Sequence, residues 1–192
     1  MTAPKASEAT LPDWLSPGLE IVSVGLNPSL NSVRAGFPFA TPQNRFWKAL
    51  NASGLVDEPL IPSQAAMQRL LTRYRIGSTD LVKRPTRGAA QLRSRDFRVG
   101  APLLTGKLLA CKPRLVWFHG KLAYRHYLKC SGTGAVELDW GLQPRRIGDS
   151  LVFVTPNPSP ANAGFSLDDL VLWYSRLAEL RARTTGPAST SD

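Results

Sequence analysis

Three short segments of this 192-residue chain combine polar side chains with stiff backbone in a way that suits chemistry on a bound ligand. In Gly25-Leu-Asn-Pro28, Pro28 restricts Asn27 to extended conformations, so its amide is presented rigidly after a predicted strand. That amide carries both a donor and an acceptor, enough to hold a water or an amide-like ligand. An asparagine there can equally bond only its own turn. In Gly77-Ser-Thr-Asp80, Asp80 is an acid amid basic neighbours, either an ion-pair partner of Lys83 or Arg84 or a group that polarises a water. Thr155-Pro-Asn-Pro-Ser-Pro-Ala-Asn-Ala-Gly164 carries three prolines and cannot continue a sheet. It either terminates a strand or forms a stiff polar tongue that enters a groove at low ordering cost. Phe37 and Phe39 flank Pro38 and are either core aromatics or a stacking platform.

Charge narrows the class of ligand. The chain carries 24 Lys+Arg against 14 Asp+Glu, a net charge of +10, and points to a polyanion, nucleic acid first. Between Arg69 and Arg98 stand nine basic residues against only Asp80 and Asp96, a net +7 in thirty residues. Such a run is commonly a solvated face, but this one abuts a candidate ligand loop, where Lys83, Arg84 and Arg87 would neutralise phosphates. The residue supply does not point to a metalloenzyme. Cys111 and Cys130 cannot make a four-thiolate site, and His119 and His126 belong to no ligand motif. His126 reads as a surface residue of a basic helix, and His119 as the residue closing a buried strand. A disulfide is not expected without a secretory signal, and no apolar run is long enough to span a bilayer.

The elements that would position these segments alternate between strand and helix. Strands are expected at Glu20–Gly25, Ile76–Val82, Arg114–Phe118 and Leu151–Val154. Gly25 is expected to let the chain turn sharply, into a loop from Leu26 to about Gln43. Helices are expected over Asn44–Ser53, after a Ser63 cap, over Ser94–Leu109 with a break near Gly100 and Pro102, and over Lys121–Lys129. A last helix opens on the capping box Ser166/Asp169. The pattern predicts an α/β layered fold with a mainly parallel sheet, with ligands beyond the carboxyl ends of the strands. Residues 1–17 read as a flexible leader, 18–183 as a single domain and 184–192 as a flexible tail.

In combination these segments resemble the mismatch-specific uracil/thymine-DNA glycosylase family, part of the uracil-DNA glycosylase superfamily. The resemblance rests on Gly-Leu-Asn-Pro, Gly-Phe-Pro-Phe-Ala and Asn-Arg-Phe-Trp-Lys between Gly25 and Lys48. Thr79-Asp-Leu-Val-Lys-Arg-Pro-Thr86, Gly120-Lys-Leu-Ala-Tyr124 and Pro156-Asn-Pro-Ser159 follow in the family's order, so the match spans roughly Pro17 to Arg181. It implies a three-layer α/β/α sandwich with a central mainly parallel sheet, and a monofunctional enzyme, without cofactor or metal, that flips uracil or another damaged or mismatched pyrimidine out of DNA and hydrolyses its N-glycosidic bond. By position, Asn27 matches the residue that holds the attacking water and Phe39 the ring that stacks on the base. Leu26 and Ser29 border that base. Asn157, Ser159, Pro160, Ala161 and Asn162 fall in the loop that enters the duplex.

This chain departs from the family at three places. Ser29 stands where relatives usually carry glycine. Pro160, Ala161, Asn162 and Ala163 replace a loop with a large apolar wedge and an arginine, so dependence on an opposite guanine does not carry over. Asp80 replaces an uncharged or basic residue and could serve as general base. The partner expected is uracil-containing or mismatched DNA, bound by a monomer in the cytoplasm or nucleoid. The alternative is a non-catalytic nucleic-acid-binding domain on the same scaffold; an iron–sulfur glycosylase falls on the cysteine count.

Overall fold

In the computed structural model, which describes residues 9–132 and 137–185, four β-branched or aromatic runs form a parallel sheet core. These are β1 (Ile21–Gly25), β2 (Ile76–Asp80), β3 (Leu115–His119) and β5 (Ser150–Thr155), with β4 (Gly141–Ile147) added antiparallel at an edge. The strand order is β2-β1-β3-β5-β4. Because side chains alternate along a strand, the sheet buries two separate sets of residues. Ile21, Leu115, Trp117 and Phe153 pack on one face with α2 (Phe46–Ala52), α3 (Gln64–Thr72) and α6 (Leu167–Thr185). Val22, Val24, Val116, Phe118 and Val154 pack on the other with α4 (Ser94–Cys111) and α5 (Lys121–Cys130). The result is the three-layer sandwich. Ser63 caps α3 through a 3.0 Å bond from the Ala66 N–H, and Ser166 and Asp169 bond reciprocally at the start of α6.

Four local expectations are corrected. The helix predicted to break near Pro102 is continuous: Pro102 lies on the exposed face of α4, and Gly100 serves packing instead. A Cβ at Gly100 would stand 2.1 Å from the Leu81 carbonyl oxygen, so glycine lets α4 lie directly on the chain leaving β2. The loop from Leu26 contains a six-residue helix, α1 (Leu30–Ala35), capped by Ser29. Strand β4 was not expected, because Gly-Leu-Gln-Pro-Arg-Arg-Ile is half exposed and interrupted by Pro144.

The fourth correction concerns the leader, whose residues 1–8 lie outside the described residues. From Leu11 onward it is packed. Leu11 is buried, Trp14 pairs with Ser78 at 2.9 Å in both directions, and Asp13 accepts from Thr79 Oγ1, Lys83 Nζ and Lys107 Nζ. At the other end α6 runs to Thr185, and residues 186–192 of the expected tail lie outside the described residues. No helix among the described residues is long and apolar enough to cross a membrane.

Candidate active site

From β1 the chain proceeds to β2 on one side and then to β3 on the other, which leaves a crevice at the carboxyl ends of β1 and β3. An open cleft of about 590 Å³ occupies that position. It is lined by Gly25–Ser29 from β1, Asp80 from β2, His119 from β3, and Asn157 and Ser159–Ala161 from the loop after β5. Phe39, Asn44 and Arg87 complete the rim. All three segments singled out by sequence therefore meet at one place.

Asn27 does bond its own surroundings, through one end of its amide only. Its Nδ2 donates to Thr86 Oγ1 at 2.8 Å, Arg84 O at 3.1 Å and Pro28 O at 3.2 Å. Two of those partners are carbonyls and can only accept, which fixes which end of the amide is nitrogen. Thr86 Oγ1 donates onward to Gly88 O, so it too is an acceptor toward Asn27. Oδ1 is left without a hydrogen bond among the described residues and is available as an acceptor in the cleft.

Asp80 sits opposite Gly25 in the β1–β2 register. A Cβ on residue 25 would fall 2.4 Å from Asp80 Oδ1. Gly25 has no positive φ; its service is space for this carboxylate rather than the sharp turn expected of it. Among the described residues the Asp80 carboxylate makes neither an ion pair nor a hydrogen bond. The two basic residues that could have paired with it are engaged elsewhere, Lys83 with Asp13 at 2.8 Å and Arg84 with Asp96 at 2.7 Å. Desolvation pushes the Asp80 carboxyl up to about 7, against the pull of Lys83 and Lys107 and with the help of Asp13. For Asp13 itself burial would raise the carboxyl, but hydrogen bonds from Lys107, Lys83 and Thr79 outweigh it and hold it below the ordinary range.

Phe39 adopts φ 58°, unusual for a residue with a side chain. Its ring stacks on buried Phe46 at 4.0 Å and 13°, and meets His119 edge-on at 5.0 Å. It is thus both a core aromatic on one face and a ring bordering the cleft. Phe37, by contrast, packs edge-on against Trp47. Ser29 spends its hydroxyl on α1, accepting from Ser32 N–H at 3.1 Å and donating to Ser32 Oγ at 3.0 Å. Leu26 packs its side chain partly into the core, while its carbonyl accepts from Val82 N–H at 2.9 Å.

In the loop after β5, Asn157 Oδ1 accepts from the Ser159 N–H at 2.8 Å, and Asn162 Nδ2 donates to Asn157 O at 2.9 Å. Asn162 is the one residue of the loop quintet absent from the cleft lining. Of the expected phosphate contacts, Arg87 lines the cleft, whereas Lys83 and Arg84 do not. They border a smaller cavity of about 260 Å³ between β2 and α4, with Asp80 forming part of both walls.

His119 was legible only as a strand end, and it is the last residue of β3. Its Nε2 lies 2.7 Å from Ser23 Oγ, and Nδ1 has no partner among the described residues. Burial lowers the imidazole to about 3, so at neutral pH it is uncharged, with one ring N–H able to donate and one nitrogen able to accept. Cys111 and Cys130 are both free thiols, and no group of three or more His, Cys, Asp or Glu among the described residues could hold a metal ion.

An α/β sandwich with a polar cleft at the switch point of its parallel strands is a scaffold for small-ligand or single-base chemistry. The comparison with protein families is specific: the profile of the uracil DNA glycosylase superfamily matches residues 12–178, and the chain belongs to that superfamily. Its activity is accordingly of the DNA glycosylase type, the hydrolysis of a base from DNA. Among solved structures, the chain is similar to a solution NMR structure from Methanosarcina acetivorans of a protein provisionally described as a uracil DNA glycosylase. The two share 24% identity and a TM-score of 0.55, over 90% of this chain and 98% of the other, a likeness of fold.

Proposed function

We propose that the protein is a monofunctional glycosylase of the mismatch-specific type, which removes uracil and related pyrimidines from DNA. The observation that carries this reading is the pair of unsatisfied oxygens at adjacent strand ends, Asn27 Oδ1 and the Asp80 carboxylate, in a cleft bordered by an aromatic ring. A pure binding domain would gain nothing from an unpaired acid facing a polyanion. The extruded base lies against Phe39, and stacking worth roughly 1–3 kcal/mol offsets much of the few kcal/mol that extrusion costs. Asn27 Oδ1 accepts a hydrogen bond from the water and aims it at C1′ of the sugar. Asp80, in its ionised form, takes the water's proton and places a negative charge near the oxocarbenium-like sugar. The glycosidic electron pair leaves with the base, whose negative charge is met by backbone donors of the Leu26–Ser29 turn. The loop containing Asn157, Ser159, Pro160, Ala161 and Asn162 enters the space the base vacates. Arg87 holds phosphate, and a monomer acting on mismatched or uracil-containing duplex suffices, in the cytoplasm or nucleoid.

The test is incubation with duplexes carrying uracil opposite guanine or adenine, or thymine opposite guanine, followed by hot alkali. Strand breaks at uracil, with none at paired thymine, are expected. Intact strands on the whole panel, alongside retained DNA binding, would leave the binding-domain reading standing in its place.

A further inference from the structure

The loop after β5 carries prolines at 156, 158 and 160, and each removes a backbone donor. Few of its carbonyls can then be met by the loop's own donors, which are Asn162 Nδ2 to Asn157 O and the Asn162 N–H to Ser159 O. One side chain from outside the loop meets several of its carbonyls. Arg45, the residue preceding α2, donates from Nη2 to Ser159 O at 2.9 Å and Asn162 O at 3.0 Å. Its Nε reaches Pro158 O at 3.4 Å, its Nη1 donates to Phe165 O, and its backbone N–H also meets Pro158 O at 3.2 Å. A planar fork of donors can meet carbonyls in several directions at once, which the compact ammonium of lysine cannot do. Arg45 does not itself line the cleft.

The next residue, Phe46, is buried and stacks beneath Phe39. The support of the loop and the support of the ring are therefore consecutive residues at one helix start. A loop held in shape beforehand enters a duplex without a further ordering cost.

We infer that Arg45 is a positioning residue that holds the 158–165 loop in its duplex-entering shape and couples it through Phe46 to the Phe39 ring. Loop entry and base stacking then occur as one unit; the inference rests on the glycosylase reading above. It requires that loss of Arg45 matter most where a base must be pulled from an intact stack.

The experiment compares wild type, Arg45→Lys and Arg45→Met in single-turnover cleavage of uracil, once in a fully paired duplex and once in a bulge where the base is already unstacked. Both variants should lose roughly tenfold or more on the paired duplex and less than about threefold on the bulge, with Lys close to Met. Amide hydrogen exchange on the free proteins should accelerate in residues 157–165 and stay unchanged in β1 and β3. Equal losses on both substrates, with exchange faster across the sheet, would make Arg45 a general support of the fold and overturn the inference. Unchanged loop exchange would also overturn it. Should the wild type cleave neither substrate, the glycosylase reading fails on its own, and the exchange measurement still decides whether Arg45 clamps the loop.

Discussion

The cleft at the strand ends and the basic run from Arg69 to Arg98 treat charge in opposite ways. The run holds most of the chain's excess positive charge, yet five of its nine cations face acids of the same molecule. Arg69 and Arg73 meet Glu58 and Asp57, Arg75 approaches Glu20, Lys83 meets Asp13 and Arg84 meets Asp96. Only Arg87, Arg93, Arg95 and Arg98 make no ion pair among the described residues. The cleft is nearly neutral in composition, but it keeps an acid without a counter-ion and an amide oxygen without a donor. Formal charge measures how much polar material a region contains; reactivity depends on how much of it the fold leaves unsatisfied.

The sharpest break of that contrast is Asp80→Asn. If the unpaired carboxylate is the general base, the substitution should lower single-turnover cleavage by roughly 10²–10⁴-fold. The wild-type rate should rise with pH and level off above about 7, since only the ionised carboxylate accepts a proton, and the variant should lose that rise. A variant with near-wild-type cleavage would remove Asp80 from the chemistry. Asn27→Ala comes next, at about 10²-fold, the cost of a misplaced nucleophile. It should also lower the melting temperature, because Nδ2 anchors the Arg84–Thr86 segment through the Arg84 carbonyl and the Thr86 hydroxyl, and both lose that donor.

A third measurement addresses the basic run directly. Arg87→Ala should flatten the dependence of log K for duplex binding on log salt by about 0.9, one phosphate contact. Lys83→Ala should leave the slope unchanged and instead destabilise the protein, since Asp13 loses a partner. Equal slopes for both variants would return Lys83 to the DNA surface and dissolve the contrast.

These differences also mark what the sequence could carry. Strands β1, β3 and β5 were legible because β-branched runs bounded by turns are local signals, and Ser63 and Ser166 declared their helices through caps only a few residues long. Asn27, Phe39 and the proline loop were legible because their stiffness is encoded by immediate neighbours. Partners supplied from far along the chain were not. Asp13 lies 70 residues from Lys83, so the basic run looked more cationic than it is, and the packed leader looked loose. Arg45 stood in a quoted motif, but its work is to bind carbonyls more than a hundred residues away. His119 could be placed at a strand end, whereas its place in the cleft wall depends on three other strand ends meeting there.

The smallest effect is also the one whose sign separates the two regions most cleanly. A carboxyl raised from its ordinary value to about 7 binds its proton more tightly in the folded than in the unfolded chain. Its contribution to stability is therefore most favourable below the unfolded pKa and declines as pH rises from about 4 toward 7. Asp80→Asn should leave stability nearly unchanged at pH 4 and raise it at pH 8, by at most a few kcal/mol because the cleft admits water. Asp13 lies on the other side of that balance, with its carboxyl held below the ordinary range by two lysines, so Asp13→Asn should destabilise at pH 8. Denaturant titrations of both variants at the two pH values check the pair. Destabilisation by Asp80→Asn at pH 8 would mean that the carboxylate is satisfied in the folded state, and the cleft would then differ little from the basic run beside it.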